Sequence, residues 1–201
     1  MKHTHIFSKS LMFFFLFNAY ILSDEISFGH AIIGDATREE ICDDEIFINT
    51  TDNGQQAIII QGRKPAAAQK VMLYSFVKIE DPYGEFTCKV DYSNLQNNDA
   101  MVGLMLREPG GENEDYAAAG YTRERYIDYR YSTHGEVGGV NPCGYEFENF
   151  IVYIKVVIGN KLAKFYIAPQ PYQDISDWRW IGKRFYTKNN TLVGVCLSPG
   201  K

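Results

Sequence analysis

Hydrophobic and polar residues alternate along most of the chain, in short runs separated by turn-forming residues. In Glu85–Tyr92, for example, apolar Phe86, Cys88 and Val90 alternate with polar positions, which is the period of a half-buried β-strand. Turn signals such as Asp52-Asn53-Gly54 and Gly159-Asn160 separate the runs. The pattern predicts nine or ten strands, at Glu45–Asn49, Ala57–Gln61, Val71–Ile79, Glu85–Tyr92, Met101–Arg107, Tyr116–Tyr121, Arg125–Ser132, Val152–Ile158, Leu162–Ala168 and Thr191–Leu197.

This arrangement predicts an all-β protein, an antiparallel β-sandwich of two sheets. Beyond the N-terminal segment no stretch has a helical period, and no repeat, linker or low-complexity tract divides the chain. At 201 residues, with 45% hydrophobic residues, the chain is long enough to bury a core of its own. We therefore expect a single sandwich domain over residues 32–201.

The N-terminus has the pattern of a secretory signal peptide over residues 1–23. Lys2 and Lys9 precede an apolar stretch at Leu11–Leu22, which is too short for a transmembrane helix. Cleavage is predicted after Ser23, or as late as Ala31. No later segment is apolar enough to span a membrane, so we expect a secreted or extracellular protein, or a periplasmic one if the source is bacterial.

Charge and histidine content exclude several classes of function. The formal net charge of −5 provides no basic surplus for binding a phosphate backbone, so a nucleic-acid partner is not expected. The chain has four histidines, and two of them, His3 and His5, lie in the predicted leader. At most two survive cleavage, so a three-histidine zinc site is excluded and no metal site is assigned.

Four cysteines and two sequons fit export. An even number of cysteines behind a signal peptide indicates two disulfides, for which three pairings are possible. We favour Cys88 with Cys196, which lie in strand-like runs, and Cys42 with Cys143, which lie near loops. The sequons place candidate glycosylation sites at Asn49 and Asn189.

From about Val71 to Ser198 the chain resembles the concanavalin A-like lectin/glucanase jelly-roll superfamily. The similarity is closest to the accessory sandwich domains, of unknown function, that are attached to bacterial glycosidases. The motifs that carry it, in order, are GEFTCKVDY at 84–92, VGLMLRE at 102–108, DYAAAGYT at 115–122, FIVYIKVVIGNKLAKFYIAP at 150–169, WRWIG at 178–182 and LVGVCLSPG at 192–200. The resemblance implies a jelly-roll sandwich with one concave face.

Enzymes of that superfamily carry catalytic carboxylates that alternate on one strand. The nearest match here is Glu146-Phe147-Glu148, in a segment that reads as a loop. No catalytic residue is therefore assigned, and a non-catalytic role is favoured over an enzymatic one.

A run rich in tyrosine and arginine is the favoured ligand site. Aromatic rings cover the apolar face of a sugar, and charged groups bond its hydroxyls. With Arg107 from a neighbouring strand, the run YTRERYIDYRY would line the concave face; the alternative is that its tyrosines only pack. The assigned ligand-binding residues are Arg107, Tyr121, Arg123, Arg125, Tyr129 and Tyr131.

Two further motifs have weaker interpretations. Glu112, Glu114 and Asp115 lie on a glycine-rich loop and could hold Ca²⁺, although an exposed charged loop is the simpler interpretation, and no cofactor is expected. Trp178 and Trp180 flank Arg179, and we expect one ring in the core and the other partly exposed.

The resulting functional hypothesis is a secreted, non-catalytic, carbohydrate-binding sandwich whose partner is a polysaccharide or glycan. Two alternatives remain open. The first is a structural or adhesion subunit of a surface assembly, because the chain stops at Lys201 and would leave a sheet edge open to another chain. The second is a small glycoside hydrolase.

Overall fold

The structure is a computed structural model, and its fold is almost entirely β. It describes residues 11–16, 28–52, 55–68, 71–80, 83–97, 100–108, 116–122, 127–133, 136–140, 150–169, 177–186 and 190–199. The first seven strands are β1 (Leu11–Leu16), β2 (Gly29–Gly34), β3 (Phe47–Asp52), β4 (Gln55–Ile60), β5 (Val71–Glu80), β6 (Gly84–Asp91) and β7 (Met101–Arg107). The others are β8 (Tyr116–Thr122), β9 (Ile127–Thr133), β10 (Glu136–Val140), β11 (Ile151–Gly159), β12 (Leu162–Pro169), β13 (Arg179–Phe185) and β14 (Asn190–Ser198).

The strands form two seven-stranded antiparallel sheets. Sheet A has the order β13-β12-β11-β6-β1-β4-β3, and sheet B has the order β10-β9-β8-β7-β14-β5-β2. The predicted all-β, two-sheet antiparallel sandwich is thus confirmed. Within it, β1 comes from the predicted leader and lies between β4 and β6.

The main core lies between the two sheets and follows directly from the alternation in the sequence. In β11 every second residue is buried, and Val152, Ile154, Val156 and Ile158 are at most 1% exposed. They pack with inward residues of sheet B such as Leu104 and Val195. Because successive side chains of a strand point to opposite faces, the intervening residues of β11 lie on the outer face of sheet A.

The central strands of sheet B, β7, β8, β14 and part of β5, are buried on their other face as well. A second cluster lies there and includes Tyr74, Met105 and Tyr116, and the Tyr74 hydroxyl donates a hydrogen bond to the Met105 carbonyl at 3.1 Å. Every residue of β8 is therefore buried, on whichever face of sheet B its side chain lies. Among the residues whose burial the structure describes, the outer face of sheet A keeps more half-buried and exposed side chains than that of sheet B.

The predicted hairpin around Gly159-Asn160 is confirmed, with its turn centred one residue later. Gly159 pairs with Leu162, so the turn residues are Asn160 and Lys161. Both have left-handed φ angles, 52° and 59°, as a type I′ turn requires.

The periodicity missed β1, β2, β10, β13 and one short helix, α1 (Arg38–Ile41). The helix begins at a capping pair, because the Thr37 amide donates to Glu40 Oε2 at 2.8 Å. That hydrogen bond lowers the pKa of Glu40 below its usual value. Ile41, at the end of the helix, is 1% exposed and packs into the core. The spacing Thr37-x-x-Glu40 is itself a helix-start signal.

The predicted disulfide between Cys88 and Cys196 is wrong, because both residues carry thiols. Cys88 points from sheet A into the main core, whereas Cys196 belongs to the cluster on the far face of sheet B. Val195 and Leu197, its neighbours on β14, are the residues that face the core. Burial raises the pKa of the Cys88 thiol, so it stays protonated.

The second predicted disulfide is not formed either. Cys42 is a free, half-buried thiol packed against the core at the end of α1, and Cys143 lies outside the described residues. Within the part of the chain that the structure describes, no helix has the length and apolar character needed to cross a membrane.

Candidate functional site

The outer face of sheet A carries a group of aromatic and basic side chains around Lys155. Lys155 pairs across the sheet with Tyr166 of β12, and Tyr166 pairs in turn with Trp180 of β13. Residues paired in this way lie side by side on one face of a sheet. Three adjacent strands therefore bring Lys155, Tyr166 and Trp180 into one row.

Lys155 is the centre of this group. Its Nζ lies 4.1 Å from the centroid of the Trp178 ring and 5.8 Å from that of Tyr166. It also forms an ion pair with Glu85 of β6, with 3.4 Å between Nζ and Oε1. Its side chain is only 12% exposed, against 53% for Glu85, so the ammonium is largely enclosed by the rings and the carboxylate.

Trp180 reaches the outer face because β13 contains a bulge. Tyr166 pairs with Trp180, but the preceding residue Phe165 pairs with Gly182, so Ile181 is an extra residue. Ile181 is 6% exposed and lies in the core. The bulge leaves Trp180 outside, 58% exposed, and keeps the rest of β13 in register with β12.

We call Lys155, Tyr166, Trp178 and Trp180 the aromatic patch. It contains both tryptophans of the chain. Trp178 is half-buried and Trp180 exposed, so the expectation that one ring is in the core is wrong. An exposed indole beside a tyrosine and an enclosed cation offers flat apolar area together with polar hydrogen-bonding groups.

The structure corrects one predicted ligand residue and leaves others untested. Tyr121 is fully buried in the main core, its ring 4.8 Å from that of Tyr92, so it faces no ligand. Arg107 is half-buried on the other face of sheet B, paired with Tyr116. Since Tyr121 points inward, the alternating register of β7 and β8 places these two residues on opposite faces.

The remaining residues of the predicted set lie on or before β9. Tyr129 pairs with Ala119 and Tyr131 with Ala117, and both alanines face the core. Arg123 and Arg125 lie outside the described residues. The predicted Tyr/Arg site remains a prediction, without Tyr121.

Several other predicted positions fall outside the described residues. They are the acidic pair Glu146 and Glu148, the candidate Ca²⁺ loop with Glu112, Glu114 and Asp115, and the sequon at Asn189. Asn49 is described and is exposed on β3, an edge strand of sheet A, where a glycan could be attached. Among the described residues, no cluster of three or more His, Cys, Asp or Glu is arranged to hold a metal ion.

A shallow cleft of about 380 Å³ lies where β2 and β3, the edge strands of the two sheets, approach α1. His30 stacks on Phe47 at 4.5 Å, and Arg38 and Glu45 stand at the rim. Burial lowers the pKa of His30, and the charge of Glu45 partly opposes this. Among the residues that the structure describes, Glu45 is the one carboxylate in this lining.

Sequence comparison assigns the chain to no family: no protein-family model matches it, and no curated protein is similar to it. Structure comparison finds a similar fold in a functionally unknown protein from Saccharomyces cerevisiae, with a TM-score of 0.51 and 12% sequence identity. The match covers 65% of this chain and 67% of the yeast chain. At that identity the similarity concerns the fold alone, and it agrees with an all-β sandwich.

Proposed function

We propose that the protein is an exported, non-catalytic β-sandwich that binds carbohydrate through the aromatic patch. The observation that carries the proposal is the exposed indole of Trp180 beside Tyr166 and Lys155 on an otherwise ordered sheet face. Sugars present apolar C–H faces that stack on such rings, and hydroxyls that bond to charged and phenolic groups.

The shape of the patch suits an extended glycan better than a single sugar. Lys155, Tyr166 and Trp180 lie on three neighbouring strands, and adjacent strands are about 4.8 Å apart. A row across three strands therefore spans about 10 Å, roughly the length of two sugar units. The patch lies on an open sheet face, so a polysaccharide can bind across it through sugars in the middle of its chain, and the ends of the polysaccharide need not be bound.

Rigidity favours binding here as well. Lys155 is held between Trp178 and the Glu85 carboxylate, so its ammonium is already fixed before a ligand arrives. A fixed group loses little conformational entropy on binding. Strands β11 and β12, which carry the lysine and Tyr166, pair continuously from Val152 to Gly159 and from Leu162 to Pro169.

The test is a tryptophan fluorescence titration with soluble polysaccharides, after a glycan array has selected candidates. Both tryptophans belong to the patch, so their emission reports on it directly. We expect Trp180→Ala to weaken binding about tenfold or more, since losing one stacked ring removes on the order of 1–2 kcal/mol. Trp178 remains as the reporter in that variant.

The matched control is Tyr83→Ala, which removes an aromatic ring that is 81% exposed but lies outside the patch, next to Gly159. It should bind like the wild type. Equal loss in both variants, or full binding by Trp180→Ala, would contradict the proposed site. Affinity that disappears only with Arg107→Ala would instead favour the Tyr/Arg site predicted from the sequence.

A second prediction concerns the cation. Lys155→Met keeps the aliphatic stem but removes the charge that Trp178 and Glu85 surround. We expect a loss of about 1 kcal/mol in the free energy of unfolding, and a red shift of the emission as Trp178 loosens. Urea unfolding followed by fluorescence measures both. Lys164→Met, at an exposed lysine of the same face, is the control. Two variants of equal stability would show that the ring contacts contribute nothing.

A further inference from the structure

Strand β1 occupies an internal position of sheet A. Phe13 pairs with Ile58 of β4 on one side and with Val90 of β6 on the other, and Phe14 pairs with Ala57 and Lys89. Both ladders are antiparallel. The same six residues form the apolar centre of the segment that the sequence predicts to be a cleaved leader.

Removal of that segment would open a slot one strand wide. Strands β4 and β6 would face each other across about 10 Å, which is two strand spacings. The residues beside the slot belong to the core: Ile58, Ile60 and Val90 are 0% exposed, and Cys88 is 1% exposed. The unpaired backbone N–H and C=O groups of β4 and β6, next to these apolar side chains, would form a template on which another strand can pair.

The slot cannot close by simple approach of its two sides. Because β1 is antiparallel to both neighbours, β4 and β6 run in the same direction as each other. Direct contact would require a parallel ladder, with a different hydrogen-bond pattern, inside an antiparallel sheet. The β3–β4 hairpin is joined to the rest of sheet A through β1 alone in the strand order, so without β1 it would be held by its core packing, through residues such as Ile58 and Ile60.

We propose that the exported protein is a strand acceptor, and that an extended apolar segment of a partner chain takes the place of Leu11–Leu16. This inference rests on the predicted leader cleavage and is independent of carbohydrate binding. The seated strand defines the partner chemistry: about six extended residues, antiparallel to β4 and β6, with large apolar side chains opposite Ile58 and Val90. Such a partner would make the protein a subunit of a surface assembly.

The site of cleavage matters for the rest of sheet B. Strand β2 pairs with β5 from Gly29 to Gly34. Cleavage after Ser23 leaves this strand whole, whereas cleavage after Ala31 removes half of it. The acceptor state therefore corresponds to cleavage after Ser23.

The test uses the product that a secretory host exports from the full-length chain. Its intact mass gives the cleavage site. A synthetic peptide of residues 8–18 with a solubilising lysine tail is then added, and binding and thermal unfolding are measured. The control is the same peptide with F14P, because proline lacks the N–H that pairs with the neighbouring strand.

We expect a product without residues 1–23 that binds the peptide one to one. At a hundredfold excess over Kd the peptide should raise the Tm by about 5–10 °C, and F14P should bind at least about tenfold more weakly. A product that keeps Leu11–Leu16 would overturn the proposal through the failure of cleavage. A cleaved monomer that binds neither peptide would overturn the proposal, because the slot would then have closed without a partner strand. A cleaved homo-oligomer that does not bind the peptide would overturn the proposed partner, because a second copy of the chain would then fill the slot.

Discussion

Replacement of Gly194 by alanine should destabilise the protein by about 3 kcal/mol or more. A Cβ at this position of β14 would clash with the carbonyl oxygen of Ser75 on β5, where the two strands pair. The obstacle is backbone in the middle of sheet B, which cannot turn aside as a side chain could. Overpacking of a rigid interior costs about 1–3 kcal/mol, and a contact this short lies at or beyond the upper end.

Urea unfolding of the variant measures the effect. Gly159→Ala is the matched control, because a Cβ there meets only the ring of exposed Tyr83, at 3.2 Å. The control should unfold within about 1 kcal/mol of the wild type. If Gly194→Ala were as stable as Gly159→Ala, the close approach of β14 and β5 would be wrong.

Tyr121→Ala should be nearly as damaging, and through packing. The Tyr121 side chain is fully buried and its ring packs against Tyr92 in the main core. Removal of a buried aromatic ring costs about 3–5 kcal/mol, because it leaves a cavity and loses transfer free energy. Tyr121→Phe keeps the ring and should lose less than half as much. Denaturant unfolding of the two variants gives both numbers.

A glycan titration of Tyr121→Phe separates packing from ligand contact. This variant folds with its ring in place, so its affinity should equal that of the wild type. A variant that stayed stable but lost glycan binding would return Tyr121 to the ligand site.

The alternation of hydrophobic and polar residues predicted most of the strands, but not which of their faces are accessible. In β11 the pattern was sufficient, because Val152, Ile154, Val156 and Ile158 face a core on one side and polar surface on the other. In β8 it was not, because both faces are buried and small alanines fill positions on each. In such a strand no polar residues mark one face as the outer one. The sequence therefore placed Tyr121 in a strand but did not show which face its side chain occupies.

The cysteines show the same limit. Cys88 and Cys196 were correctly placed in strands, β6 and β14, but a disulfide depends on which face each occupies and in which sheet. That information comes from sheet order, which links residues far apart in sequence. The aromatic patch was missed for a related reason: the bulge at Ile181 interrupts alternation in β13, so the run around Trp180 has no clear period.

The bulge also determines what variation this surface can tolerate. Trp180 points outward only because β13 has one residue more than the part of β12 that pairs with it. A homologue could exchange most side chains of β13 and still display an aromatic ring there. If β13 kept its length but lost the bulge, Ile181 would lie opposite Tyr166 and the indole would turn toward the interior, so the irregular register is a stricter requirement than composition in this segment.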